Sequence, residues 1–241
     1  MALHLYRSFV CIFFLSLGGS VVAEEGRGDD PLEPFNRAIF SFNDTADRWV
    51  LKPVAQGYRT VTPDPVEKGI ARMFSNVGEV VNIVNDVFQG KIAQAGNDTG
   101  RLFVNSTVGV AGFFDVADSW GMQKSSVEDF GQTMAVWGVP QGAYVVLPFF
   151  GPSNFRDAPG RLVDSFLNPV GYIEHVPTRN QVYGANVLSG RAELLEAEKL
   201  ISGDKYSFVR DVYLQRREHL INDGQVEDDF GDSDYQDSDY Q

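Results

Sequence analysis

Residues 64–89 read DPVEKGIARMFSNVGEVVNIVNDVFQ, which predicts one long amphipathic helix. Asp64, Pro65 and Glu67 are typical of a helix start, because proline suits the first turn and acidic side chains interact with free N–H groups. One face is apolar and recurs at three- and four-residue spacing: Val66, Ile70, Met73, Phe74, Val77, Val80, Val81, Val84, Val87 and Phe88. The opposite face carries Lys68, Arg72, Ser75, Glu79, Asn82, Asn85 and Asp86. Two interpretations of the apolar stripe stay open, namely ordinary core packing or contact with lipid or a partner.

The same start pattern occurs earlier, at Asp30-Pro31-Leu32-Glu33, and apolar residues follow it at helical spacing from Phe35 to Val50. Pro53 is expected to end that helix or to lie just beyond its end. Ser125-Ser126-Val127-Glu128 predicts a capping box for a short helix, and residues 140–152, bounded by prolines, predict one extended local segment. Helices are predicted over 91–104, 125–136, 153–167, 182–201 and 205–221. We therefore expect a mainly α fold with little or no β-structure.

The segment from residue 102 to 117 is almost uncharged and rich in small residues. Gly109 and Gly112 would allow close packing of neighbouring chain segments, as small residues do in membrane-embedded helices. Phe113 and Phe114 are candidates for lipid contact. Because the run is too short to span a bilayer, it is either embedded in a membrane or forms a buried hairpin.

The first residues have the pattern of a secretion signal. Arg7 precedes the apolar run from Phe9 to Leu17, and small residues lead to a cleavage site between Ala23 and Glu24. Cys11 lies inside the apolar run without the leucine and small residue that precede a lipidated cysteine, so no lipid anchor is predicted there; a signal anchor is the alternative. We expect a signal peptide over 1–23, a helical domain over 24–222 and an acidic low-complexity tail over 223–241.

The net charge of −13 is concentrated at the end of the chain. Nine acidic residues and no Lys or Arg follow Arg217, and DSDYQ is repeated at 232–236 and 237–241. Such a tail repels itself and is expected to be disordered. The remainder has no cluster of Lys and Arg of the kind that phosphate backbones require, which argues against nucleic acid as a partner.

No catalytic or metal-binding motif stands out. His175 and His219 belong to no two-histidine metal motif, and the glycines at 109–112 lack the spacing of a dinucleotide-binding loop. The acidic residues form no pattern that identifies a hydrolytic pair. We therefore predict no catalytic residue, metal or other cofactor.

Several blocks in the same order resemble the MlaA/VacJ family of Gram-negative outer-membrane proteins. The opening block is Asp30-Pro31-Leu32-Glu33-Pro34-Phe35-Asn36-Arg37. The further blocks are residues 59–90, 99–117, 128–139 and 142–152, and Arg156-Asp157. The resemblance covers about residues 29–220.

This resemblance implies a single ring-like domain of amphipathic helices in the inner leaflet of the outer membrane, with a passive amphipathic channel. Family members remove mislocalised phospholipid from the outer leaflet, pass it to the periplasmic carrier MlaC and associate with trimeric porins, which maintains lipid asymmetry. The candidate lipid-contacting side chains are Val77, Val80, Val81, Val84 and Phe88, with Phe113 and Phe114. The family is commonly lipidated, and in this respect the chain departs from its pattern.

Two other hypotheses remain. The secretion signal and acid-rich composition also suit a periplasmic hydrolase that uses carboxylates. An adaptor that holds porins or other envelope proteins without moving lipid is the second alternative.

Overall fold

The computed structural model describes residues 30–224. The signal peptide, Cys11, the cleavage site between Ala23 and Glu24 and most of the acidic tail lie outside the described residues. The helices are α1 Glu33–Ala46, α2 Lys52–Val61, α3 Asp64–Gln89, α4 Ile92–Thr107, α5 Val116–Ser119, α6 Phe130–Val136, α7 Asp157–Leu167, α8 Val176–Ala197 and α9 Lys205–Ile221. A single two-stranded sheet, β1 Tyr144–Leu147 and β2 Gly151–Asn154, lies among these residues. The predicted mainly α fold is confirmed.

Helix α3 spans the predicted range, although its N-cap is Pro63 rather than Asp64. It ends at Gly90, whose φ of 80° is accessible to glycine at little cost. The Lys91 amide then donates to the Asp86 carbonyl oxygen at 2.8 Å, which satisfies a group at the helix end. The chain reverses there, and α4 returns along α3 as its main packing partner.

The prediction that Pro53 ends the first helix is wrong. A π-helical turn, Asp47–Leu51, joins α1 to α2, and Pro53 occupies the first turn of α2. The Lys52 amide donates to the Asp47 carbonyl oxygen, five residues back. This wider turn allows the helix to continue past a residue that has no amide hydrogen.

The predicted capping box at Ser125–Glu128 is also wrong. Helix α6 begins at Phe130, and the Asp129 carboxylate caps it by accepting from the Gln132 amide at 2.9 Å. The Glu128 side chain is instead buried and accepts hydrogen bonds from the Gln89 amide and the Lys91 ammonium group. These tertiary contacts hold the preceding loop in an extended course.

Residues 140–154 form a hairpin rather than one extended segment followed by a helix. Tyr144 pairs with Asn154 and Leu147 with Gly151 in antiparallel register. Phe149, at φ 64°, and Gly151, at φ 74°, reverse the chain. Helix α7 therefore starts at Asp157, later than predicted. Helix α8 starts earlier than predicted, at Val176, because His175 caps it.

Helix α3 packs against four other helices. It contacts α4, α6, α7 and α8, while α2 packs on α8 and α9 packs on α6 and β2. The first and last helices meet through Arg37, whose guanidinium lies 2.7 Å from the Asp204 carboxylate and 4.4 Å from the Tyr206 ring centroid. Contact between the two ends of the described chain closes the fold.

Asn36 joins α1 to the hairpin. Its amide nitrogen donates to the Tyr144 carbonyl oxygen at 3.0 Å and to the Asp30 carboxylate, and its amide oxygen accepts from the Val146 amide at 2.9 Å. The Asp30 carboxylate also accepts from the Tyr206 hydroxyl. The opening motif therefore ties three parts of the chain together.

Asn36→Ala is expected to lower the free energy of unfolding by about 3 kcal/mol, because two buried backbone groups lose their partners. Denaturation in detergent, followed by circular dichroism, measures the change. Asn180→Ala, at an exposed position on α8, is the control and is expected to shift stability by less than about 0.5 kcal/mol. Equal stability of the two variants would contradict this role of Asn36.

Candidate functional site

Polar side chains occupy much of the interior of the protein. Among the described residues, the buried set contains ten hydrophobic and eighteen polar or charged residues. Large apolar side chains lie on the surface, with Trp49 77% exposed, Val61 80% and Phe149 76%. Domains surrounded by water place most large apolar side chains inside. This distribution indicates a surface suited to apolar surroundings.

Helix α3 is oriented with its polar face inward. The buried polar side chains on this helix are Asn76, Glu79, Asn82, Asn85 and Asp86. None of the apolar stripe is fully buried, and the outermost members are Val66, Val87 and Phe88. Seven of its ten members are half-buried, so both interpretations of the stripe stay open.

Helix α4 presents further polar side chains to this interior. Arg101 is 3% exposed, and its terminal nitrogen lies 2.8 and 3.0 Å from the two Asp115 carboxylate oxygens. Asn105 donates to the same carboxylate at 2.9 Å and accepts from the Ala117 amide at 2.9 Å. These bonds fix the turn that follows α4.

Amides on α3 hold the centre of the polar interior. Asn82 donates to Glu79 at 2.8 Å and accepts from the Glu128 amide at 3.1 Å. Asn85 accepts from the Thr133 hydroxyl at 2.8 Å and donates to the Asp164 carboxylate at 3.1 Å. Each amide thus uses both its donor and its acceptor, as burial requires.

The Asp86 carboxyl is the least satisfied group in this interior. The residue is fully buried, and neither oxygen receives a hydrogen bond. Burial, together with the nearby carboxylates of Asp98 and Glu128, raises the pKa of Asp86 to about 7. Asp86 therefore holds a proton in the folded protein at pH values where a free aspartate has lost it.

Helix α9 is fixed to the same core by a buried arginine. Arg217 lies 2.5 Å from the Asp129 carboxylate, which caps α6, and 2.8 Å from the Asp157 carboxylate at the start of α7. Asp157 also accepts from the Tyr213 hydroxyl at 2.9 Å. One guanidinium group thus joins three helices.

Two cavities adjoin these elements. The larger, about 480 Å³, lies between α2 and α8 and is lined by Lys52, Gln56, Arg59, Thr60, Leu195, Glu196, Glu198 and Lys199. The smaller, about 30 Å³, opens on the polar interior and is lined by Arg72, Ser75, Asn76, Glu79, Arg101, Asn105, Gly112, Asp115 and Lys124. Both cavities carry charges of both signs, which suits a polar solute more than an acyl chain.

The predicted lipid-contacting residues lie in two environments. Val77, Val80, Val81, Val84 and Phe113 are half-buried. Phe88, 45% exposed, packs with Phe130 and Trp137, and Phe114 is 55% exposed. Lipid contact by these side chains stays a prediction.

Gly109 and Gly112 lie in a tight turn rather than at a helix–helix interface. A Cβ at Gly109 would lie 2.3 Å from the Phe114 carbonyl oxygen. At Gly112, φ is 92° and a Cβ would lie 2.5 Å from the Asn76 Cβ atom. Only glycine fits both positions without displacing the turn.

The polar interior also contains residues that the sequence does not predict there: Asn76, Asp98, Arg101, Asn105 and Lys124. One signal was available on α3, where Asn76, Glu79, Asn82 and Asn85 follow at three-residue spacing. Solvent-facing helix surfaces are usually richer in long charged side chains than in asparagine. The partners on α4 and at residue 124 depend on tertiary contacts and leave no comparable pattern.

Within residues 30–224, no group of three or more His, Cys, Asp or Glu side chains is arranged to hold a metal. His175 caps α8, with its Nδ1 atom 2.7 Å from the Thr178 hydroxyl. No described helix is both long enough and apolar enough to cross a membrane.

Asp86→Asn is expected to stabilise the protein at pH 8 and to change little at pH 4. The folded pKa of about 7 lies above the ordinary value of 3.8, so the wild type loses stability as pH rises through this interval. Denaturation of both proteins between pH 4 and pH 8 measures the difference. Asn180→Ala, which removes no titratable group from an exposed position, should leave the pH dependence unchanged. A constant difference between wild type and Asp86→Asn across the range would contradict the raised pKa.

Comparison with known proteins assigns the family. The model of the MlaA lipoprotein family matches residues 28–220. The Intermembrane phospholipid transport system lipoprotein MlaA of Escherichia coli (strain K12) is 34% identical over 212 residues, covering 85% of this chain and 82% of that protein. Its counterpart from Haemophilus influenzae is 31% identical over 203 residues, covering 82% of this chain and 81% of that protein.

A solved structure from work on the structural basis for maintenance of bacterial outer membrane lipid asymmetry is also similar. It has a TM-score of 0.71 and 32% identity, and the match covers 81% of this chain and all of that chain. The fold, the order of the sequence blocks and these likenesses agree, and the chain belongs to the MlaA lipoprotein family.

Proposed function

We propose that this protein is the outer-membrane component of an intermembrane phospholipid transport system and acts as a passive amphipathic channel. It removes mislocalised phospholipid from the outer leaflet and thereby maintains lipid asymmetry. The single observation that carries the proposal is the inverted burial, with asparagine and carboxylate side chains inside and large apolar side chains outside. The likeness to transport proteins of this family supports it.

The physical requirement for lipid movement is a path for the head group. Taking a charged phosphate through hydrocarbon is costly because no water or polar group replaces its hydration. The polar side chains of α3 and α4 that line the smaller cavity, among them Arg72, Ser75 and Arg101, supply donors that can replace that hydration. Such a path lowers the barrier without any bond chemistry, so a passive mechanism suffices.

The exposed apolar side chains supply the membrane attachment in this proposal. Trp49 and Val50 lie on the π turn, while Phe149 and Phe150 lie at the hairpin tip, and all four are more than 60% exposed. Phe42 packs against Phe149 with ring centroids 5.2 Å apart. These groups would lie in the inner leaflet of the outer membrane, at the periplasmic side, after signal cleavage between Ala23 and Glu24.

The partners belong to the same proposal. A soluble periplasmic carrier of the MlaC kind would accept the lipid, and a trimeric porin would hold the protein in the membrane. Both follow from the family resemblance.

Two alternatives predict different behaviour. A periplasmic hydrolase would cleave phospholipid or glycan and would lose activity when one carboxylate is replaced. An envelope adaptor would bind porin, yet its deletion would leave the lipid distribution unchanged.

The double variant Trp49→Glu/Val50→Glu is expected to reduce partition into phospholipid vesicles by at least about tenfold. Transfer of one large apolar side chain out of water contributes about 1.5–3 kcal/mol, and 1.4 kcal/mol corresponds to a factor of ten. Flotation of the full chain with vesicles gives the bound fraction. Gln215→Glu, which adds a charge at an exposed polar position of α9, is the control and should bind like wild type. Undiminished flotation of the double variant would contradict attachment through this surface.

Expression in a Gram-negative strain that lacks its own MlaA is expected to reduce phospholipid in the outer leaflet to the wild-type level. Surface labelling of phosphatidylethanolamine measures that level. Intact phospholipid should be recovered from the purified protein without release of fatty acid. An unchanged outer leaflet despite porin binding would favour the adaptor, and released fatty acid would favour the hydrolase.

A further inference from the structure

We propose that the small cavity between α3, α4 and Lys124 is a phosphate-binding subsite that receives the phosphodiester of a phospholipid head group. The inference deepens the proposed function and rests on it. The cavity lies at the edge of the polar interior, where three cationic side chains meet: Arg72 of α3, Arg101 of α4 and Lys124 of the loop before α6.

Two of these cations keep unused capacity to bind an anion. The Lys124 ammonium group donates to the Ser75 hydroxyl at 2.8 Å and, within residues 30–224, has no carboxylate within salt-bridge distance. The Arg72 side chain is exposed and forms no hydrogen bond or ion pair with another described residue. Both are thus available for a negatively charged group that enters the cavity.

The third cation, Arg101, lines the cavity and is held in place by its own hydrogen bonds. Asp115 holds its terminal nitrogen through both carboxylate oxygens, and the Met122 carbonyl oxygen accepts from the other terminal nitrogen. The Arg101 side chain is only 3% exposed, and its buried Nε atom has no hydrogen-bond partner. A buried guanidinium nitrogen without an acceptor is costly, and a phosphate oxygen in the cavity would provide one.

The two acidic side chains that line the cavity do not cancel this charge. Asp115 is committed to Arg101 and Asn105. Burial raises the pKa of the Glu79 carboxyl, while Asn82, Lys124 and Arg101 oppose that shift. Even with both carboxylates ionised, the three cations leave the lining with one excess positive charge.

The size of the cavity limits the ligand. A volume of about 30 Å³ admits two water-sized groups, such as the two non-bridging oxygens of a phosphodiester, but not a glycerol unit or an acyl chain. The turn that contains Gly112 borders the cavity, and its neighbours Val110 and Phe114 are 63% and 55% exposed. A lipid could therefore place its phosphate in the cavity and its acyl chains along this apolar turn.

The larger cavity between α2 and α8 has no unpaired cation among its lining residues that could bind an anion. Its cations are already paired: Lys52 with Glu198 at 3.2 Å, Arg59 with Glu196 at 3.1 Å and Lys199 with Glu196 at 2.7 Å. An anion there would have to displace these carboxylates. The smaller cavity needs no such displacement.

The test measures binding of dihexanoyl phosphatidylglycerol to the full chain in detergent by titration calorimetry, with dihexanoyl glycerol and inorganic phosphate as separate ligands. Arg72→Gln/Lys124→Gln should weaken phosphatidylglycerol binding at least tenfold. Lys68→Gln, which removes an exposed cation one turn away on α3, should bind like wild type. Dihexanoyl glycerol should bind the wild type and the double variant equally, and inorganic phosphate should compete weakly.

Unchanged phosphatidylglycerol affinity in the double variant would overturn the subsite. So would an equal loss of affinity in Lys68→Gln. Inorganic phosphate that binds as tightly as the lipid would also overturn it, because free phosphate would then be the ligand. The outer-leaflet assay separates this inference from the proposed function. If the wild-type protein restores lipid asymmetry while the double variant binds phosphatidylglycerol normally, only the subsite proposal is contradicted. If wild type fails to restore asymmetry, the proposed function fails as well.

Discussion

The requirement that buried polar groups be paired governs this structure. Helix α3 turns its asparagines and carboxylates inward, and all of them except Asp86 have a hydrogen-bond partner there. Asn82 forms a hydrogen bond with the Glu128 amide, and Asn85 forms hydrogen bonds with the Thr133 hydroxyl and the Asp164 carboxylate. The loop before α6, α6 itself and α7 are therefore positioned by hydrogen bonds more than by apolar packing.

The same orientation determines what the protein shows to its surroundings. With the polar face of α3 inside, the valines and phenylalanines of its other face lie at or near the surface, together with Trp49, Phe149 and Phe150. In water this surface would promote association, whereas in a lipid leaflet it is the favourable side of the fold. The proposed head-group path inside and the proposed acyl chains outside would both follow from this orientation of one helix.

The opening motif of the family has a structural role in this picture. Asp30, Asn36 and Arg37 connect the first helix to the hairpin and to α9, and Arg217 connects α9 to α6 and α7. The contact from Asn36 to Tyr144 spans 108 residues, and the one from Arg37 to Asp204 spans 167. A helical shell with a polar interior lacks the large apolar core of an ordinary domain, so such polar links are needed to hold its ends together.

The mainly α fold, the range of α3, the exact range of α9 and the family follow from the sequence, because helical periodicity and ordered motifs are local properties. Pro53, the start of α6 and the hairpin were mispredicted. Residues 47–51 form a π turn and Tyr144 pairs with Asn154, neither of which follows from helical periodicity, and the burial of Glu128 depends on Lys91, 37 residues away. Periodicity identified two faces on α3 but could not say which one points inward. That choice was made by the partners on α4, α6 and α7, which supply hydrogen bonds to asparagine and none to valine.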